Sequence, residues 1–174
     1  MEYISHKGAR LTWKRPSPAV FELYDEQDNV IGQLRFAGFL VTRVDLKDGS
    51  WECVSDGFTG AFLVRDPGKE EPIARFVPEL IFPFGRRQAG TLELNSGAVY
   101  QWMTQGMFTN EYQWQGIAGA PLMSVKNPWF PLFFPWVGII TPIAESFLDP
   151  NWALLLAVGW NCSVHETSRN AMSL

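Results

Sequence analysis

The chain is poor in the residues that most enzymes use. It has two histidines, His6 and His165, and two cysteines, Cys53 and Cys162, in 174 residues. The cysteines are far apart and have no CxxC or Cys/His ligand spacing, so both are read as buried reduced thiols behaving as small hydrophobes. No GxSxG elbow, HExxH, P-loop or GxGxxG stretch occurs, so no catalytic, cofactor or metal motif is available from the sequence. Charged residues are only 18% of the chain. The balance of 14 basic against 18 acidic residues, a net charge of −4, argues against a general electrostatic grip on nucleic acid. The opening "MEYISHKGARL" lacks the charged-then-apolar layout of a secretory leader, so a cytoplasmic protein, at most peripheral at a membrane, is expected.

Aromatic residues, in contrast, are abundant at 14%, with 12 Pro and 15 Gly. Aromatics suit a half-buried pleated surface, and Gly and Pro suit the corners between strands, so the composition predicts a mainly β domain occupying residues 1–174. In "FELYD", Phe21 and Leu23 face one way while Glu22 and Tyr24 face the other; "EQDN" turns the chain, and "VIGQLRF" returns with Val30, Leu34 and Phe36 on one face. "TLELNSGAVYQWMT" repeats the design with Leu92, Leu94, Tyr100 and Trp102. An offset of 49 residues superposes Trp51 on Tyr100, Gly57 on Gly106, Pro72 on Pro121, Ile73 on Leu122 and Phe76 on Val125. A shorter copy, residues 21–36, parallels 62–76, with Asp25 and Asp66 leading the turns. Hairpins with one dry side cannot hide it alone and must share a core. The spacing predicts roughly ten to twelve strands in a sandwich or barrel.

The stretch "DPNWALLLAVGWNCSV" settles between the two. Asp149 is a capping acid and Pro150 fits the first helical turn, where its missing donor costs nothing. The helix expected over about 150–164 is apolar on every side, yet at about 21 Å it is too short to cross a bilayer core of roughly 30 Å. A helix of this kind is enclosed by protein, and strands with a dry face need something to close around. Residues 151–164 are therefore placed on the axis of a closed antiparallel barrel, with 165–174 as a flexible tail. Gly159 predicts close approach by a strand or by a bulky neighbour such as Trp160. Upstream, residues 128–144 carry no charge, but Pro128, Pro131, Pro135 and Pro142 would break a spanning helix. That segment reads as an extended aromatic connection followed by a last strand, "WVGIIT". A re-entrant segment inserting Trp129 to Trp136 into lipid is the alternative.

The stretches "FELYDEQDNVIGQLRF", "GFTGAFLVRDPGKEEPIARF", "PLMSVKN" and the acid-Pro helix resemble the tubby C-terminal-like superfamily, which includes the tubby domain, phospholipid scramblases and LURP-one-related proteins. The resemblance spans roughly residues 18–164. It implies a closed barrel of about twelve strands around a central hydrophobic helix. Tubby domains bind phosphoinositides and scramblases are linked to lipid movement and calcium. The phosphoinositide site has no residue-by-residue match here, and the cysteine-rich and acidic calcium segments of scramblases have no counterpart.

Among chemical candidates, His165 beside Glu166 reads as a cation complementing the helix C-terminus. Glu70 and Glu71 with Lys69, and Asp25, Glu26 and Asp28, read as solvated turn carboxylates, while Glu145 and Asp149 read as helix N-terminal charge and cap. The cationic candidates are Lys7, Arg10, Lys14 and Arg15 around Trp13, together with Arg86 and Arg87. Basic side chains beside an exposed Trp would suit anionic headgroups; the other reading is a solvated strand face with Trp13 packed on the barrel. The resulting expectation is a non-enzymatic binding or scaffold module that contacts anionic membrane lipid or a protein partner, without a transmembrane span. A hydrolase-type enzyme with a carboxylate or histidine at a barrel end is the alternative.

Overall fold

The computed structural model describes residues 10–38, 40–81, 86–105, 110–116, 119–127, 137–143 and 148–172. Twelve strands precede one helix: β1 (Leu11–Ser17), β2 (Val20–Tyr24), β3 (Val30–Phe36), β4 (Val41–Leu46), β5 (Gly49–Ser55), β6 (Phe62–Arg65), β7 (Pro72–Ile81), β8 (Arg86–Leu94), β9 (Val99–Thr104), β10 (Glu111–Gln115), β11 (Pro121–Lys126), β12 (Val137–Pro142) and α1 (Trp152–Met172). Each strand pairs antiparallel with its sequence neighbours, and β1 pairs with β12 through Leu11↔Ile140 and Trp13↔Gly138. The sheet is thus a closed barrel with no free edge, as the one-sided hairpins require.

Strand alternation sets the interior. Leu11 and Trp13 of β1, Phe21 and Leu23 of β2, Leu92 of β8 and Trp114 of β10 are buried, while the residues between them are at least partly exposed. The segments related by the 49-residue offset fall on corresponding strands: β5, β6 and the start of β7 against β9, β10 and β11. In the shorter parallel the two Phe pairs differ: Phe21 lies opposite Leu34 and meets Phe36 edge-on at 5.7 Å between ring centroids, whereas Phe62 lies opposite Phe76 and stacks on it at 4.9 Å. Val30 departs from expectation. It is 55% exposed, because a register shift between Leu23 and Tyr24 leaves it at the open end of β3 rather than over the core.

The helix lies inside. Leu155, Ala157, Val158 and Trp160 have no exposure, and Leu156 has 1%. Asp149 Oδ1 accepts from the Asn151 N–H at 2.8 Å, and the Asp149 carboxylate also accepts from the Tyr100 hydroxyl of β9, so the cap doubles as a tie to the wall. Gly159 does admit a bulky neighbour, but it is Trp114 of β10, with Trp102 of β9 beside it; a Cβ there would lie 2.5 Å from Trp114 Nε1. Trp160 points across the barrel toward Gly32 of β3. The same device recurs where Gly138 of β12 makes room for the indole of Trp13.

The expected tail is part of this helix. α1 continues through Met172, well beyond the predicted end near 164. Polar groups on either side of the expected end are satisfied: the Ser163 hydroxyl donates to Asn127 Oδ1, Asn127 Nδ2 donates to the Ser163 carbonyl at 3.3 Å, and Thr167 Oγ1 donates back to that carbonyl, one turn earlier in α1, at 2.9 Å. No helix among the described residues is long and apolar enough to cross a membrane. Residues 128–136, the candidate lipid-inserting segment, lie outside the described residues.

Candidate functional site

The basic stretch of β1 splits by strand parity. Trp13 points inward and is completely buried, so it offers no ring to a headgroup; Lys14, next in sequence, points outward. The Lys14 ammonium is 3.1 Å from Asp28 Oδ1 and 4.4 Å from the centre of the Tyr24 ring, so an approaching anion competes with both. Arg15 donates to the Pro18 carbonyl at 2.7 Å and lies over the Phe21 ring, and burial pulls its pKa down from the ordinary arginine value. The backbone of Arg10 donates to Glu26. Arg86 and Arg87 open β8, but their side chains, like His6 and Lys7, lie outside the described residues. Basic groups and turn carboxylates are therefore interleaved on this face.

The turn acids behave as local structure. Asp25 Oδ1 accepts from the backbone N–H groups of Gln27 and Asn29, and Asp56 accepts from those of Phe58, Thr59 and Gly60. Glu145 lies outside the described residues. Among the described residues no three His, Cys, Asp or Glu side chains gather as metal ligands.

His165 is held rather than mobile. It sits on α1 with Nε2 3.0 Å from Thr42 Oγ1 of β4, and its ring meets Phe36 edge-on at 5.4 Å. It stands at the border of a cavity of about 270 Å³ between the C-terminal half of α1 and the wall from β5 to β10. The space exists because small side chains face each other across it: Cys53 and Ser55 on β5 and Ala89 on β8 oppose Cys162 on the helix, and Gly57 and Gly60 form the adjoining loop. The broad walls are aromatic. Trp102 and Tyr112 stack at 5.3 Å and 6° between planes, and Phe62 and Phe76 at 4.9 Å and 21°. Phe58, 91% exposed, stands at the mouth.

The helix contributes Asn161, His165 and Glu166 to the polar lining, and the wall contributes Ser55 and Tyr112. Cys53 and Cys162, remote in sequence, line the same space and are both free thiols. Burial pushes the Cys53 thiol up to about 12 and raises Cys162 well above its ordinary value, with Cys53 and Glu166 nearby adding to the second shift. Neither cysteine is set up as a nucleophile, since the thiolate is the reactive form.

The sequence placed the aromatics and thiols in the interior but did not bring them together around a void. The available signal was the "NCS" run directly after Trp160, where an otherwise apolar helix turns small and polar. Comparison of the chain with protein-family models, with curated proteins and with solved structures finds no match in any of the three.

Proposed function

We propose that this protein is a non-enzymatic binding module whose site is the cavity beside α1, and that its ligand is a small, mainly apolar molecule. The observation that carries this is an aromatic-walled space of about 270 Å³ between α1 and the barrel wall. An engineered cavity of about 150 Å³ takes up benzene, so a space of this size suits about eleven non-hydrogen atoms. At the efficiencies usual for small ligands such a molecule binds with a Kd between roughly 1 mM and 1 μM. Suppressed thiolates in the cavity support binding over nucleophilic catalysis. The closed barrel around a helix accords with the tubby-like resemblance, which we retain as a proposal for ancestry.

The test is equilibrium dialysis with 2-methylnaphthalene, which matches the space in size. Saturable uptake of one molecule per chain is expected, weakened at least tenfold by Ala89→Leu, which puts branched carbon into the cavity from β8. Absence of saturable uptake by the wild-type protein refutes the reading.

A further inference from the structure

Asn161 is set apart from the other lining residues. It is 1% exposed, lies on the helix face that borders the cavity, and its Oδ1 has no hydrogen-bond partner among the described residues. A buried amide carbonyl left unpaired is costly, and native interiors rarely keep one without a reason. Its polar neighbours are otherwise engaged: Ser163 binds Asn127, Thr167 binds the Ser163 carbonyl, and His165 binds Thr42. Asn161 Oδ1 is thus a buried, unpaired acceptor on a residue that lines the cavity.

The flanking surfaces restrict what can supply the donor. Two stacked aromatic pairs, Trp102 with Tyr112 and Phe62 with Phe76, line the cavity, and aromatic walls favour a flat aromatic guest in offset or edge contact. The described lining contains Glu166 and neither lysine nor arginine. The surroundings that hold the Cys53 thiol near 12 also disfavour negative charge on a guest.

From these observations we propose that the cavity selects neutral, flat aromatic molecules carrying one O–H or N–H group, which donates to the side-chain carbonyl of Asn161. This rests on the cavity being the binding site, and it adds the class of ligand and the residue that reads it.

The experiment compares 2-naphthol with 2-methylnaphthalene, alike in shape and differing in the donor, by equilibrium dialysis against the wild-type chain and Asn161→Leu. The two ligands differ in hydrophobicity, so the quantity read is the change in their affinity ratio between the two proteins. A shift of about tenfold toward 2-methylnaphthalene in Asn161→Leu is expected, the size of one hydrogen bond to a neutral acceptor. Leucine keeps the branched shape of asparagine with the same number of non-hydrogen atoms, and a retained circular dichroism melt certifies the fold. A second measurement uses the wild-type chain alone: the Asn161 side-chain carbonyl carbon resonance moves on addition of 2-naphthol and stays in place with 2-methylnaphthalene. Uptake of both ligands with an unchanged ratio and an unmoved resonance overturns the role of Asn161 and leaves the binding reading intact. Uptake of neither overturns both.

Discussion

Gly159→Ala sets two effects of known sign against each other inside the barrel. Alanine is the better helix former, and replacing an interior helical glycine stabilises by about 1 kcal/mol when nothing else changes. Here the new methyl would stand 2.5 Å from Trp114 Nε1 and 3.3 Å from Trp102 Cζ3. Trp102 borders the cavity, so the nearer ring, Trp114, takes the clash. Trp114 has no exposure and is backed by Phe76 at 6.2 Å, while Trp102 is stacked on Tyr112. Overpacking of a core costs about 1–3 kcal/mol, and with the nearer ring held from behind the upper end applies. The net expectation is a loss of about 2 kcal/mol, which for a chain of this length lowers Tm by about 4–8 °C. Urea unfolding followed by tryptophan fluorescence reads the midpoint, with an unchanged slope as evidence that compactness is preserved. Trp114→Phe removes the offending edge, so the double variant should be more stable than the sum of the single changes by about 1 kcal/mol or more. A Gly159→Ala midpoint equal to or above that of the wild type would mean that this helix face does not press on β9 and β10.

Two further expectations follow from titrating groups. The Asn29 side chain and the backbone N–H groups of Asn29 and Gln27 hold the Asp25 carboxyl below its ordinary value, and the Thr59 hydroxyl with its neighbouring N–H groups does the same for Asp56. Folding depresses these pKa values, so their contribution is present above the ordinary carboxylate range and is lost as pH falls through the folded values. Urea midpoints should decline below about pH 4, and less steeply in Asp25→Asn/Asp56→Asn; an identical slope in the double variant removes this account. With Cys53 held near 12, against an ordinary value of 9.0, the folded chain carries about a thousandfold less thiolate at that site than an open chain. Iodoacetamide should label Cys53 only after unfolding, and labelling at the free-thiol rate in native buffer contradicts its burial.

The sequence alone determined the class of structure. Period-two alternation in stretches such as "FELYD" and "TLELN" has a local cause, the opposite facing of successive side chains, and needs no tertiary partner to be legible. The length and uniform apolarity of 152–160 were equally legible, and a short helix with no wet side admits enclosure by those strands. Asp149 announced the start of that helix because a cap is local chemistry. Its end was not announced, since whether the polar residues after Ser163 continue a helix depends on packing and on partners, such as Asn127 for Ser163, that are distant in the chain. Trp13 was ambiguous for a similar reason: β1 alone does not say which of its faces is dry, and closure against β12 decides it. The cavity is the furthest from the sequence. It is a shortfall of volume where small residues of β5, β8 and α1 oppose one another, and volume between elements is a property only of their packing.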